Sequence, residues 1–475
     1  VKKYYAEKLH PDVIDFDDQS VYENVFHKGK WAGVFQFTET GAQNFCVNAQ
    51  PRSIIDISAI TSIFRPGPLS AKVDRNYVAA KSNPDDVNYA NETIREITEE
   101  TYGFLIFQEQ IALLAHKLGK DISLDEGNLL RKLLTKKGTG KGAEDKMKIF
   151  HKFIDGCVEK EMTRNEAEKL WETFEFFSGY GFNKSHAVSY SILSYQCAWL
   201  LNYYPVEWVA AFLDKEPESR KERAINTAKK MGFEIRPLDI NLSTKNWTIG
   251  DDGALIQPFS SVKGLGDAAI DQILNFRPFE TIEDFLFHDR IVYSKLNKKA
   301  LDVLVRSEAL NSIMDDRFTG LRHFWSAVAV DRAKTKKKFN ENIEKYAPEG
   351  HFTAQETIEY QVSLTGMFPI HLVMSDEVVK QLEDNMIPPL GDFMPEVPVA
   401  WFIPREIIPR KTKNGKVYWI VKVIDSTSTP NAIKCWGVRD NDHVELNKPY
   451  MAKLDFHDQW GFSTRSLRHN FKLLA

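Results

Sequence analysis

The hydrophobic period changes along the chain, and that change constrains the fold more than any single motif. In Ile111–Leu118 and Glu166–Phe177 the apolar residues recur at three and four positions, the spacing of a helix with one buried face. The same spacing makes residues 20–225 mostly helical. After Pro237 the pattern shifts: Asn246–Ile256 reads as a hairpin turning at Asp252-Gly253. Residues 258–312 return to short helices, and Arg332–Lys345 is a highly charged helical or linker stretch. From about 396 the period becomes two, in Lys416–Ile424 and Ala432–Gly437, with a polar turn at Pro430-Asn431 between them.

Several short strands within about eighty residues predict a small closed barrel of the OB-fold kind. The expected fold class is therefore multidomain: mainly α-helical, then all-β. At 475 residues and 43% hydrophobic content the chain exceeds one core, so two to four packed domains are expected. No run of about eighteen apolar residues is present to span a bilayer, and a cytoplasmic protein without membrane partners is expected. Cys46, Cys157, Cys197 and Cys435 lie far apart with no Cys-x-x-Cys, which predicts reduced, mostly buried thiols rather than a metal or disulfide framework.

The net charge of −4 excludes a uniformly basic coat but not a local phosphate track. The densest basic block runs from Arg131 to Lys152, interrupted by Gly138-Thr-Gly-Lys-Gly142, which reads as a loop. Arg65-Pro-Gly-Pro68 must break any helix. In Ser178-Gly-Tyr-Gly-Phe-Asn-Lys-Ser-His-Ala187 two glycines permit a tight path, and Asn, Lys, Ser and His supply donors suited to phosphate oxygens. Taken alone, this is also how a glycine-rich turn with a solvated lysine would read. Its company, an aromatic-rich helix at Val188–Trp208 and the upstream basic block, favours the phosphate-binding reading. Ser261-Val-Lys-Gly-Leu-Gly266 has the shape of a helix-hairpin-helix turn, which holds a DNA phosphate without reading bases.

Seven of these segments, in order, resemble the fingers of the C-family replicative polymerases, the bacterial-type DNA polymerase III alpha subunits. They are Gly33–Phe37, Phe64–Leu69, Thr101–Gln110, Leu129–Lys132 with Lys136-Lys137, Gly179–His186, Tyr203–Ala211 and Val262–Gly266. The resemblance covers residues 14–311 well and the remainder loosely. It implies fingers at 1–240, a duplex- and clamp-binding helix-hairpin-helix domain at 241–345, a connector at 346–395 and an OB-fold at 396–475.

It also implies that Arg65, Arg131, Lys132, Lys136, Lys137, Lys184, Ser185 and His186 meet an incoming dNTP. Lys263, Gly264, Gly266, Lys298 and Lys299, with Lys411, Lys413 and Lys416 of the first barrel hairpin, would meet primer-template DNA. The family usually has a second arginine where Lys132 stands, and lysine keeps the charge but loses the bidentate fork. Gln108-Glu109-Gln110 matches an element that packs within the fingers. Tyr418, Trp419 and Trp436 are candidates for stacking on single strands or for the barrel core.

The family's PHP and palm regions, with the carboxylates that hold Mg2+, have no counterpart among these motifs; Pro11-Asp-Val-Ile-Asp-Phe-Asp-Asp18 has the wrong spacing. Activity would then need a palm-bearing upstream region or separate chain, and a sliding clamp is a further possible partner. The competing reading is a catalytically inert DNA-binding replisome module.

Overall fold

The computed structural model describes residues 10–135, 141–178, 181–217, 220–366, 369, 372–394, 397–412, 414–425, 431–439, 441–457, 461–465 and 467–474. It divides into two compact units, residues 1–208 and 209–475.

The first unit is helical. Its main helices are α1 (Thr40–Ala49), α2 (Ile54–Ile63), α3 (Val73–Ser82), α4 (Gln108–Leu118), α5 (Leu124–Thr135), α6 (Lys141–Glu159), α7 (Arg164–Ser178) and α8 (Lys184–Tyr203). Helix α2 is apolar on nearly every face, which suits the centre of the unit, and Ser53 caps it by accepting from the Asp56 amide. Small residues of α8, Ala187, Ser191, Ser194 and Ala198, are fully buried and let α2 approach closely enough for the Ser58 hydroxyl to donate to Ser191 at 3.0 Å. Helices α4–α7 close over a second core built on Leu114, Leu118, Leu130, Phe153, Trp171 and Phe174. Gly127 sets their register. A Cβ there would stand 2.5 Å from the Ala112 carbonyl oxygen, so only glycine lets α5 lie against α4 at this point.

Two local expectations are refined. Arg65-Pro-Gly-Pro68 does end α2, but Pro66 then opens a short helix, Pro66–Ser70, because a proline at the first helical position gives up no bonded N–H. The glycine-rich stretch 138–142 lies largely outside the described residues, and Gly142, expected in the loop, belongs to α6.

In the second unit, β1 (Ile235–Arg236) runs parallel to β3 (Leu255–Ile256), and β2 (Thr248–Ile249) pairs antiparallel with β3. The turn between β2 and β3 places Gly253 at φ +87°, as the Asp252-Gly253 signal predicts. Helices α9 (Asp267–Phe276), α10 (Lys298–Arg306), α11 (Lys336–Tyr346) and α12 (Ala354–Thr365) pack around a core that includes Ile270, Ile273, Leu301, Leu304, Phe324 and Phe339. A short helix, α13 (Asp376–Asp384), follows.

The chain ends in a seven-stranded sheet, order β10-β7-β4-β5-β6-β9-β8, from β4 (Val399–Lys411), β5 (Val417–Ile424), β6 (Asn431–Trp436), β7 (Tyr450–Lys453), β8 (Asp455–His457), β9 (Gly461–Arg465) and β10 (Lys472–Leu473). Strands β7 and β8 are one run of chain separated by Leu454. Because β7 pairs with β4 and β8 pairs with β9, that run brings the β8 edge back beside β7 and curls the sheet. With β6 parallel to β9, the result is OB-like.

Candidate nucleotide and nucleic-acid interface

In the first unit the motif segments meet around Gln108. Phe107 and Phe182 form a parallel bridge: the Phe182 amide donates to the Ile106 carbonyl and the Gln108 amide to the Phe182 carbonyl, both at 2.9 Å. The Gln108 side chain then works in two directions. Its Nε2 donates to the Gly181 carbonyl at 2.8 Å, and its Oε1 accepts from Arg131 Nη1 at 2.9 Å. Arg131 reaches it because Gly127, one turn earlier on α5, already lies on Ala112, one turn after Gln108 on α4. Arg65 arrives from the other side: its Nε donates to the Ser62 carbonyl at 2.7 Å and its guanidinium sits 4.7 Å from the centre of the Phe182 ring. Burial lowers its pKa from the usual arginine value.

Residues 183–186 start α8. Asn183 caps the helix by accepting from the His186 amide at 2.9 Å, and Glu109 holds Asn183 Nδ2 at 2.8 Å and the Lys184 amide at 2.9 Å. Glu109 thus acts on the scaffold. Buried Gln110 does so too, accepting from the amides of Ile106 and Phe107. Ser185 is exposed and donates to Asn183 at 2.7 Å. The exposed His186 ring lies 5.5 Å from Phe182 and 4.2 Å from Tyr190. Lys184 is already engaged: its ammonium contacts both oxygens of Glu100, at 2.6 and 2.7 Å, and lies 5.6 Å from the Phe107 ring centre. Lys132 is exposed beside Arg131, whereas Lys136 and Lys137 lie outside the described residues. Gln108 therefore connects Arg131 with the segment that carries Phe182, Arg65 touches that segment directly, and Lys184 is engaged by a carboxylate of the same unit.

A second polar centre was not legible in the sequence. Asp56, 3% exposed, accepts from Lys81 Nζ and the Arg52 amide at 2.8 Å, and from the hydroxyls of Tyr77 and Tyr102 at 3.3 Å. It fixes the Thr101–Gln110 motif to α2 and α3; burial raises the pKa of both tyrosines. Asp18 is likewise spent locally, accepting from Tyr203 at 2.6 Å and the Ser20 amide at 3.0 Å. Among the described residues no group of three His, Cys, Asp or Glu side chains could hold a metal ion, and no helix is long and apolar enough to cross a membrane.

In the second unit, Lys263 and Gly264 are exposed, and Gly264 adopts φ +91°, a conformation that favours glycine. Gly266 is the N-cap of α9. The structure brings Lys299 to this turn, its Cε 3.5 Å from where a Cβ on Gly264 would stand. The Lys263 amide is already committed to the Leu364 carbonyl at 2.9 Å.

On the barrel, strand alternation separates the three aromatics. Trp419 packs on the core formed by Val421, Ile433 and Cys435. Tyr418 and Trp436 are cross-strand partners with rings stacked at 4.5 Å, in a row that runs Arg410, Tyr418, Trp436, Arg465 across four strands. Lys411 and Lys416 stand at the base of the adjoining hairpin, while Lys413 lies outside the described residues.

A glycine hairpin with exposed lysines and an OB-like sheet are elements of nucleic-acid-binding folds, and the comparisons specify the family. Residues 1–161 match the family described as "Bacterial DNA polymerase III alpha subunit finger domain", and residues 232–320 match "Helix-hairpin-helix motif". The chain is 34% identical over 326 residues to the DNA polymerase III subunit alpha of Thermus aquaticus, covering 66% of this chain and 26% of that protein. It is 29% identical over 434 residues to that of Aquifex aeolicus, covering 90% of this chain and 36% of the relative. With the Campylobacter jejuni protein it shares 30% identity over 319 residues, 66% of this chain and 26% of the relative. The chain belongs to the bacterial DNA polymerase III alpha family, and it spans about a third or less of the length of these relatives.

Proposed function

We propose that this chain is the nucleotide- and DNA-gripping part of a replicative DNA-directed DNA polymerase working in the cytoplasm. The observation that carries the reading is the junction at Gln108, where Arg131, Arg65 and the Phe182–His186 segment are gathered by one side-chain amide and one aromatic ring. Arg131, Arg65 and Lys132, with Lys136 and Lys137, would neutralise the triphosphate as charge develops on the leaving pyrophosphate. His186 and Ser185 would line the pocket. Lys184 would join them by exchanging Glu100 for a phosphate oxygen. The segments 1–240, 241–345, 346–395 and 396–475 then serve as fingers, duplex- and clamp-binding domain, connector and single-strand-binding barrel.

The magnesium ions of such a polymerase need convergent carboxylates. Near the start of the described chain, Asp18 is already engaged by Tyr203 and Ser20, and Asp15 accepts from the Asp17 amide. In this reading the chain contributes positioning and positive charge, with the metal carboxylates supplied by a palm-bearing region or partner.

Mixing the purified chain with a palm-bearing alpha-subunit segment and measuring primer extension tests this. Extension that appears only in the mixture, and drops when Arg131 is replaced by alanine, is the expected result. Salt-sensitive DNA binding with no extension in any such mixture would favour the inert replisome module instead.

A further inference from the structure

Between residues 220 and 345 most cations are satisfied within the chain: Lys230 by Asp392, Lys245 by Asp267, Arg306 by Asp302, Arg317 by Asp315 and Glu283, and Lys338 and Lys345 by Asp331. The lysines of this stretch whose side chains have no partner among the described residues fall in three short segments. They are Lys263 in the hairpin, Lys295 with Lys298 and Lys299 around the start of α10, and Lys334 with Lys336 and Lys337 around the start of α11. All are exposed.

The fold brings the three segments together. Lys299 lies over Gly264, as described above. Arg332 then ties the third segment to the second: its guanidinium donates to the carbonyls of Leu296 and Tyr293 and sits 3.4 Å from the Tyr293 ring centre. Lys334 is two residues from that anchor, and Lys295 and Lys298 are one and two residues from Leu296. An extended backbone covers roughly 3.5 Å per residue, so the second and third groups are neighbours.

Such an arrangement is unfavourable in isolation. Like charges repel across the patch, and Lys298-Lys299 and Lys336-Lys337 also stand in the first turns of their helices, where the peptide dipoles disfavour cations. The fold does not relieve it, because the nearby Asp331 is taken up by Lys338 and Lys345.

We propose that Lys295, Lys334, Lys336 and Lys337 form a second phosphate-contact patch, continuous with the hairpin, that extends the grip on the duplex DNA backbone. Lysine suits this role, because it is a point charge on a flexible stem that follows phosphates without reading sequence. The inference rests on the proposed DNA-binding function and adds a site to it. Arg332 is its positioning residue, holding the two lysine-bearing segments side by side.

The test compares three forms of the full chain on random-sequence duplex DNA across a salt series: wild type, Lys334→Gln/Lys336→Gln/Lys337→Gln, and a hairpin variant, Lys263→Gln. Each lost phosphate contact should flatten the slope of log K against log salt by about 0.9, so the triple variant should flatten it by about 2–3 and the hairpin variant by about 1. Unchanged thermal unfolding is expected, since the replaced side chains are exposed and have no partner among the described residues.

A hairpin variant that weakens binding beside a triple variant that does not would overturn the inference while leaving the proposed function standing. Wild-type binding that ignores salt would overturn the proposed function itself. As a second measurement, duplex DNA should protect Lys334, Lys336 and Lys337 from acetylation read by mass spectrometry. Protection confined to Lys263 would also overturn the inference.

Discussion

The motif region of the first unit and the lysine-bearing segments around the hairpin of the second treat positive charge in opposite ways. In the helical first unit the cations of the motif region are bound by the protein itself: Lys81 by Asp56, Arg131 by Gln108, Lys184 by Glu100, Lys152 by Glu126 and Lys146 by Glu175. In the second unit the hairpin and the starts of α10 and α11 leave their lysines in water. A cation held by an internal partner is positioned, and a ligand must compete for it. A free lysine is available at once but unpositioned. The first arrangement suits a pocket that selects one small anion, and the second suits a surface that slides along a polyanion.

Breaking an internal partner should therefore cost folding stability in the first unit, whereas removing one of the lysines around the hairpin, α10 and α11 of the second that have no partner among the described residues should cost only salt-dependent binding. The largest effect is expected at the buried pair. Lys81→Ala leaves the Asp56 carboxylate without its cation and should lower stability by about 3–5 kcal/mol in denaturant unfolding. A loss below about 1 kcal/mol, the range of an exposed pair, would show that the two tyrosine hydroxyls and the Arg52 amide suffice.

Next in size is the barrel. Trp436→Ala removes half of an accessible stack and should weaken single-strand binding by about 1–3 kcal/mol with the fold intact, while Trp419→Ala, on the core side, should lower stability instead. The reverse pattern in a filter-binding and thermal-unfolding pair of measurements would invert the assignment of faces.

Gln108→Ala frees Arg131 from its tether and should lower the apparent affinity of a palm-complemented enzyme for nucleotide by roughly tenfold, with DNA affinity nearly unchanged. Equal losses in both would show that Gln108 holds the fold rather than the pocket. The smallest effect sharpens the comparison most. If Lys184 exchanges Glu100 for a phosphate, Glu100→Gln removes a competitor and should lower the nucleotide Michaelis constant by roughly two- to fivefold, the scale of a partly exposed ion pair. An unchanged or raised constant would assign Lys184 to the scaffold.

Much of this was legible in the residues. The change of hydrophobic period marks helices, hairpin and barrel, because burying one face of an element demands a fixed spacing whatever the partner. The glycine hairpin at 263–266 and the Asp252-Gly253 turn were readable because positive φ selects glycine locally. The order of the motifs likewise marks the family without any geometry.

What the sequence could not contain is which charge meets which. Asp56 and Lys81, Lys184 and Glu100, and Arg131 and Gln108 lie between 23 and 84 positions apart, and nothing in local spacing distinguishes these partners from the other charged and polar residues of the chain. Tyr418 and Trp419, adjacent in sequence and alike in chemistry, are separated by the alternation of β5 only once the sheet curls and one face becomes the inside. Sequence determines what each short segment can become, since that depends on backbone sterics and the period of burial. Tertiary packing decides which cations are spent internally and which remain for a ligand, since that depends on distances across the chain.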